Sequence, residues 1–221
     1  MEPSRSGRRF LVPELIVAAV ILAAGFAGVL PLSATPFLVV LGVVSLWLRG
    51  EGARAVGLAF RSDWGRTALR GIGAGIVYQG FSLYIAEPAL ARLTGKLPDV
   101  SMFAPLTGNV HFLIISLAVA WTLAACGEEF VYRGYLLRRI AQALGDTRRA
   151  SLGALVVTSV LFGAGHGYQG LSGVITAGLG GFAFGLLYLA TGRNLWVSVI
   201  AHGTMDSVGF VLLFLGKYPG S

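Results

Sequence analysis

Long apolar runs, separated by short polar segments rich in arginine, dominate the pattern of this chain. A helix needs about 20 mostly apolar residues to cross a bilayer. Seven runs reach or approach that length, at residues 11–31, 33–48, 69–91, 110–137, 150–166, 173–190 and 195–215. The pattern therefore predicts an all-α, polytopic transmembrane helix bundle of about seven spans. The whole chain, residues 1–221, is expected to form a single membrane domain.

The segment 52–66 differs from these runs because it interleaves arginines with Phe60 and Trp64. Such a segment suits an amphipathic helix along the membrane surface, which would make eight helices in all. The first apolar run follows three arginines near the N-terminus, so a cleaved signal peptide is an alternative for it. The six further runs favour a retained first helix.

The composition favours a membrane protein over a soluble one. Hydrophobic residues make up 55% of the chain and charged residues only 12%, whereas a soluble domain is usually about 25% charged. The chain also has 32 glycines, and small residues let membrane helices approach closely. Two G-x-x-x-G pairs, Gly71 with Gly75 and Gly181 with Gly185, are candidates for such contacts, although the spacing is weak evidence alone.

The formal charge of +7 is carried by arginines that lie between the apolar runs. They form no continuous basic stripe, so a nucleic-acid partner is not expected. Positive charge in short loops marks the cytoplasmic side of a membrane protein. With the N-terminus in the cytoplasm, only Arg92, Lys96 and Lys217 of the 17 basic residues fall outside. The sequence therefore predicts an integral membrane protein with a cytoplasmic N-terminus and an external C-terminus.

Ionisable residues inside membrane helices are costly and are usually functional. They are few here: Glu128 and Glu129 in the fourth run, His166 at the end of the fifth, and His202 and Asp206 in the seventh. His202 and Asp206 are spaced i, i+4 and can share one helix face. Glu128 points about 100° away from Glu129 on a helix and is free for another role.

Two more i, i+4 pairs accompany these residues. Glu129 is followed by Arg133, and an acid that precedes a base by one turn can form an ion pair with it. Phe162 precedes His166 at the same spacing, so an aromatic ring is expected one turn before the imidazole.

The depths of these residues suggest a single site. Gly145-Asp146-Thr147 predicts a turn between the fourth and fifth helices. An antiparallel hairpin about that turn places Glu128 level with His166. Counted from the arginines at the inner ends of their helices, Glu128 and His202 lie about 15 Å and about 13.5 Å into the membrane at 1.5 Å per residue. We therefore expect three helices to bring Glu128, His166 and His202 to one place.

The residue types at this place suit hydrolysis of an acyl bond. A carboxylate beside an imidazole can hold and deprotonate a water molecule. A second imidazole can donate a hydrogen bond to the developing oxyanion. Glu128, His166, His202 and Asp206 are also of the types that bind a divalent metal such as zinc, although H-E-x-x-H does not occur in the chain. The sequence leaves both mechanisms open.

Two other residues of the apolar runs, Glu87 and Cys126, are expected to have structural roles. Glu87, which precedes Pro88 near the outer end of the third run, is interpreted as a kink-region or surface acid. Cys126, the chain's single cysteine, lies in an apolar run and is interpreted as a packing residue rather than a nucleophile.

Three short motifs follow one another along the last apolar runs. They are Glu128-Glu129-Phe-Val-Tyr-Arg133, Phe162-Gly-Ala-Gly-His166 and His202-Gly-Thr-Met-Asp206. The motifs match E-E-x-x-x-R, F-x-x-x-H and H-x-x-x-N/D of the CPBP family, which includes CAAX prenyl endopeptidases and bacteriocin-processing or immunity proteins. The chain resembles that family over residues 121–210, and the catalytic helices are expected within 110–215.

The resemblance implies a role for each motif residue. Glu128 and His166 would activate the attacking water, and His202 with Asp206 would polarise the scissile carbonyl or hold the oxyanion. Structural support of the site would fall to Glu129, Arg133 and Phe162. Prenyl endopeptidases usually carry Asn where Asp206 stands, and an ionised Asp cannot donate to an oxyanion. Asp206 is therefore expected to orient His202 or to be protonated, or to favour a metal.

The resemblance thus implies an intramembrane endopeptidase, of glutamate type or metal-dependent, that cleaves a membrane-associated substrate. A prenylated CAAX-type protein is the candidate substrate class. The expected partners of the endopeptidase are the lipid bilayer and that peptide or protein substrate. One alternative is a non-enzymatic partner-binding or immunity protein that keeps the same fold. A small transporter is a weaker alternative, because the chain has no convincing inverted repeat.

Overall fold

The computed structural model describes residues 5–31, 33–59 and 62–219, with side chains from residue 10 onward. No described residue lies in a β-strand, so the all-α prediction is confirmed. The described chain forms seven long helices that coincide with the seven apolar runs. They are α1 (Arg5–Phe26), α2 (Ala34–Leu48), α3 (64–94), α4 (Val110–Ala143), α5 (Arg148–Ala164), α6 (Gly170–Ala190) and α7 (Leu195–Phe214).

Three of these helices are long and apolar enough to cross a membrane. They are α4, α6 with the turn before it (Gly167–Ala190), and α7. The apolar parts of α1 and α2 are shorter, at Phe10–Phe26 and Ala34–Leu48. The structure thus supports three of the seven predicted spans by length and composition. Crossing by the other four helices, and the orientation of the termini, stay predictions.

The segment 52–66 does not form the predicted surface α-helix over the part that the structure describes. Phe60, on which that prediction partly relied, lies outside the described residues. The described part contains a 3-10 turn at Ala53–Val56 and then the first residues of α3, which begins at Trp64. Gly57 ends the turn with a φ of 88°, a left-handed conformation that glycine adopts at little cost.

Two of the long helices contain π-helical turns. They occur at Ser82–Ala86 in α3, and at Ala120–Glu128 and Phe130–Leu136 in α4. Such turns are rare overall, but where they occur they often lie at functional sites. In α4 they include every residue of the E-E-x-x-x-R motif except Glu129.

The predicted hairpin between α4 and α5 is confirmed. Gly145 has a φ of 97°, which lets the chain reverse after α4. The Thr147 side chain then accepts a hydrogen bond of 3.1 Å from the backbone N–H of Ala150, which caps the first turn of α5. This hairpin brings the C-terminal end of α5 back to the level of the E-E-x-x-x-R motif.

Both G-x-x-x-G pairs lie at close helix contacts. A Cβ added to Gly71 or Gly75 would collide with atoms of α7, and at Gly75 the obstacle is the backbone carbonyl oxygen of Ala201. A Cβ added to Gly181 or Gly185 would press against side chains of α5. The glycines therefore allow α3 to approach α7, and α6 to approach α5.

Gly75→Ala is expected to lower the free energy of unfolding by about 1–3 kcal/mol, because a backbone carbonyl cannot turn aside from the added methyl group. Gly73 is the matched control, since an added Cβ there meets nothing within 4 Å. Gly73→Ala should be neutral or slightly stabilising. Thermal unfolding in detergent measures both variants, and equal midpoints would contradict the close α3–α7 contact.

A buried ion network joins α1 and α2 to the C-terminal part of α4. Arg49 donates hydrogen bonds of 2.8 and 3.0 Å to the two carboxylate oxygens of Glu14. Arg139, only 1% exposed, lies 3.3 Å from Glu14 and 3.2 Å from Glu51. A buried charge persists only when it is paired. Glu14, which sequence reasoning passed over, is therefore a structural acid that connects α1 to the helix carrying the motif.

Candidate active site

A cavity of about 640 Å³ lies between α3, α4, α5, α6 and α7. Its wall includes all four residues predicted to act together: Glu128, His166, His202 and Asp206. Most of the remaining wall consists of apolar side chains, among them Phe103, Phe184, Met205 and Phe210. The four ionisable groups thus form a polar region in a largely apolar chamber.

Glu128 and Glu129 point in different directions although they are adjacent. Glu128 ends the first π-helical segment of α4, and its side chain is 20% exposed at the cavity. Glu129 is completely buried. Successive residues of a helix point in different directions, so α4 presents one carboxylate to the cavity and places the next one behind it.

Glu129 connects the motif of α4 to α6 and α7. Its Oε1 lies 2.8 Å from Arg133 Nη1, as an ion pair without hydrogen-bond alignment. The same oxygen accepts a 2.8 Å hydrogen bond from His202 Nδ1 on α7. Arg133 Nη2 donates a 3.1 Å hydrogen bond to the carbonyl oxygen of Gly181 on α6. The predicted Glu129–Arg133 pair is present, whereas the bond from Glu129 to His202 was not predicted.

His202 lies among three carboxylates and is 3% exposed. A carboxylate only accepts hydrogen bonds, so the contact with Glu129 places a proton on Nδ1. The other ring nitrogen, Nε2, lies 3.5 Å from Asp206 Oδ2 and 4.0 Å from Glu128 Oε2. The imidazole is therefore fixed at one nitrogen and directed toward the cavity acids at the other.

His166 follows the end of α5 and has an equally defined orientation. Its Nδ1 lies 2.9 Å from the carbonyl oxygen of Phe162. Because a carbonyl only accepts, Nδ1 carries the proton, and in the neutral ring Nε2 keeps a free lone pair. The backbone carbonyl one helical turn before His166 thus sets the tautomer of the histidine.

The ring of Phe162 contacts three groups of the site. Its centroid lies 4.8 Å from that of His166 and 6.0 Å from that of His202. The guanidinium carbon of Arg133 lies 4.7 Å from the same centroid, close enough for a cation–π contact. Phe162 therefore separates the buried ion pair from the cavity and supports both imidazoles.

The divalent metal that the sequence left open as an alternative, held by Glu128, His166, His202 and Asp206, finds no matching group of side chains in the described residues. Within the described part of the chain, no group of three or more His, Cys, Asp or Glu side chains is placed to hold a metal ion. Structural and catalytic zinc sites use three or four protein ligands, so no step below is assigned to a metal.

Glu87 is a further acid of the cavity wall that sequence reasoning placed at a kink or on the surface. It is 2% exposed, so the surface interpretation is wrong. Its Oε1 accepts hydrogen bonds from Ser82 at 2.8 Å and Tyr218 at 3.1 Å. The π turn at Ser82–Ala86 directly precedes it. The cost of a carboxylate inside a membrane helix was the signal that could have identified it.

The interpretation of Cys126 as a packing residue is also wrong. The side chain is exposed on α4 and does not line the cavity.

The fold and the site define an α-helical membrane protein with a buried group of acids and imidazoles. Residues 110–208, which are 99 of the chain's 221 residues, match the family model described as "Type II CAAX prenyl endopeptidase Rce1-like". The match spans all three motifs and confirms the resemblance to the CPBP family. This segment is therefore similar to a family of proteases. Neither a curated protein nor a solved structure shows significant similarity to the chain.

Proposed function

We propose that this protein is an intramembrane endopeptidase that hydrolyses a peptide bond in a membrane-associated, CAAX-type substrate. The observation that carries the proposal is the meeting of Glu128, His166, His202 and Asp206 in the wall of one cavity. A bilayer penalises ionisable groups that have no task, and four of them here share one chamber. The family match over the same segment supports the reaction class.

In the proposed reaction, a water molecule is held between Glu128 and Nε2 of His166. The carboxylate accepts a proton as the water oxygen forms its bond to the scissile carbonyl carbon. The tetrahedral intermediate then collapses, the carbon–nitrogen bond breaks, and the same proton passes to the leaving amine. The products are a new carboxylate and a new amino group, and no other reactant is needed.

His202 is assigned the stabilisation of the oxyanion. An imidazolium carries a proton on each nitrogen, so Nδ1 can donate to Glu129 while Nε2 donates to the substrate oxygen. Asp206, at 3.5 Å from Nε2, is at the outer limit of hydrogen-bond distance. Asp206 therefore offsets the positive charge and orients the ring without holding the proton that the substrate needs.

The apolar chamber favours a substrate that brings an apolar group into the membrane. Phe103, Phe184 and Phe210 line the cavity beside the acids and imidazoles. A lipidated peptide places its scissile bond at membrane depth, whereas a free polar peptide must leave water to enter. We therefore expect removal of the lipid from the peptide to raise KM more than it lowers kcat.

The test is cleavage by purified protein in liposomes of matched C-terminal peptides with and without a lipid on the cysteine. Mass spectrometry of the released fragment identifies the bond that breaks. We expect cleavage of the lipidated peptide, a much higher KM for the unlipidated one, and no loss of rate with a strong chelator. Folded protein that cleaves no peptide of the panel would contradict the proposal and favour a partner-binding role.

A further inference from the structure

A second, strongly polar pocket lies apart from the catalytic cavity and shares no lining residue with it. Its volume is about 380 Å³. Three arginines from different parts of the chain contribute to its wall: Arg54 from the 3-10 turn, Arg138 from α4 and Arg193 from the turn before α7. All three belong to the set predicted to face the cytoplasm.

Backbone contacts build this pocket. Arg138 Nη1 donates a 2.6 Å hydrogen bond to the carbonyl oxygen of Ala55. The N–H of Leu195 donates a 3.1 Å hydrogen bond to the carbonyl oxygen of Gly57. A Cβ on Gly57 would collide with the carbonyl oxygen of Arg193, so only glycine permits this approach. The turn that carries Arg54 is thereby fixed against the turn that carries Arg193.

Arg193 has an unusual backbone conformation for its residue type. Its φ is 60°, in the left-handed region that non-glycine residues seldom adopt. Such strain persists only where the surrounding structure imposes it, and it is concentrated at ligand-binding and active sites. The conformation therefore adds an independent observation to the convergence of arginines.

The positive charge of the pocket is only partly compensated. Arg138 forms an ion pair with Glu51 at 3.2 Å. Arg193 lies 4.0 Å from Asp146, and both side chains are more than 40% exposed, so that contact is weak. Arg54 is exposed and has no acidic partner among the described residues. Arg54 therefore has no acidic partner to give up, and Arg193 can exchange its weak contact with Asp146 for a closer contact with a bound anion.

We propose that this pocket binds a phosphate group, supplied either by an anionic lipid headgroup or by free phosphate. Guanidinium groups form paired, charge-assisted hydrogen bonds with phosphate oxygens. Basic pockets between membrane helices on the cytoplasmic side bind the headgroups of anionic lipids. Asp146 opposes the anion, but its long contact with Arg193 is displaced when a phosphate oxygen takes its place. The proposal is independent of the catalytic role.

The experiment uses the full chain in nonionic detergent at constant ionic strength. Thermal unfolding midpoints are measured while short-chain phosphatidylglycerol, short-chain phosphatidylcholine or inorganic phosphate is added. A ligand that binds the folded state raises the midpoint in a saturable way. The test variant is a double variant that carries both Arg54→Gln and Arg193→Gln. The control is Arg70→Gln, because Arg70 is an exposed arginine on α3 outside the pocket.

We expect phosphatidylglycerol to raise the midpoint of the wild type and of Arg70→Gln, and phosphatidylcholine to have little effect. The double variant should bind at least about tenfold more weakly, because two charge-assisted contacts are lost. A saturable, arginine-dependent shift with inorganic phosphate identifies free phosphate as sufficient, whereas a shift with the lipid alone identifies the headgroup. No saturable shift with either probe, or a shift that the double variant retains, overturns the proposal. If the double variant does not fold, Arg54→Gln alone serves, since Arg54 is exposed.

Discussion

Glu128→Gln is expected to lower kcat for peptide hydrolysis by about 10²–10⁴-fold, the usual contribution of a general base. The amide has the shape of the carboxylate, so the cavity wall should be unchanged, but an amide does not accept the proton of the attacking water. KM should remain within a few-fold of the wild type, because Glu128 acts on the water rather than on the bound peptide. Initial rates on the lipidated peptide in liposomes measure both constants.

Two comparisons separate catalysis from misfolding. Cys126→Ala, on the same helix and outside the cavity, should keep wild-type rates. Glu128→Gln combined with His166→Ala should lose little more activity than either variant alone, because residues that act on one water are not additive. The assignment of a shared water would be contradicted if the fold-losses in kcat of the two single variants multiplied in the double variant. A normal kcat for Glu128→Gln would also contradict it.

Arg133→Leu is expected to lower the free energy of unfolding by about 3 kcal/mol, the lower end of the cost of breaking a buried ion pair. Glu129 is fully buried and would lose the guanidinium 2.8 Å from its Oε1. The carbonyl oxygen of Gly181 would lose its donor as well. Activity should also fall, because Glu129 orients His202. Unfolding midpoints and cleavage rates of the same preparations measure the two effects.

Arg70→Leu is the control for Arg133→Leu, because Arg70 is exposed on α3, and its loss should be nearly neutral. Adding Glu129→Gln to Arg133→Leu should restore part of the stability, since it removes the uncompensated charge. It should not restore activity, because His202 then loses its carboxylate partner. Arg133→Leu as stable as Arg70→Leu would be inconsistent with a buried structural ion pair.

The helices, and the meeting of Glu128, His166 and His202 at one cavity, could be predicted from the sequence because both follow from local rules. Apolar runs locate membrane helices, and the cost of intramembrane charge selects Glu128, His166 and His202 among many polar residues. The Gly145 turn then fixes which levels of α4 and α5 meet. Helix geometry and residue type are sufficient to place these residues.

The contacts that orient the site could not be predicted in the same way. Depth counting assumed an ideal α-helix, whereas α4 winds as a π-helix on both sides of Glu129. The π-helical winding changes the rise and rotation per residue, so the depth of Glu128 cannot be counted at about 1.5 Å per residue along α4. The bond from Glu129 to His202 joins residues 73 positions apart. Only the packing of α4 on α7 decides which of the nearby carboxylates accepts the hydrogen bond from Nδ1 of His202.

Glu14 and Glu87 illustrate a second reason. Each is an acid within an apolar run, and the rule that selected Glu128 applied equally to them. Glu14 is paired with Arg49 and Arg139, and Glu87 with hydroxyl donors. Burial alone therefore does not separate a structural acid from a catalytic one; the partners that satisfy the acid do.

The central claim is that a water molecule held by Glu128 hydrolyses a peptide bond of a substrate bound in the cavity. The most direct measurement is cleavage of the lipidated peptide in liposomes made with heavy-oxygen water, followed by mass spectrometry of both fragments. Wild-type protein should release two products and place one heavy oxygen in the new carboxylate, while Glu128→Gln should leave the peptide intact over the same time. Cleavage by Glu128→Gln at the wild-type rate, or an intact peptide with folded wild-type protein, would contradict the account.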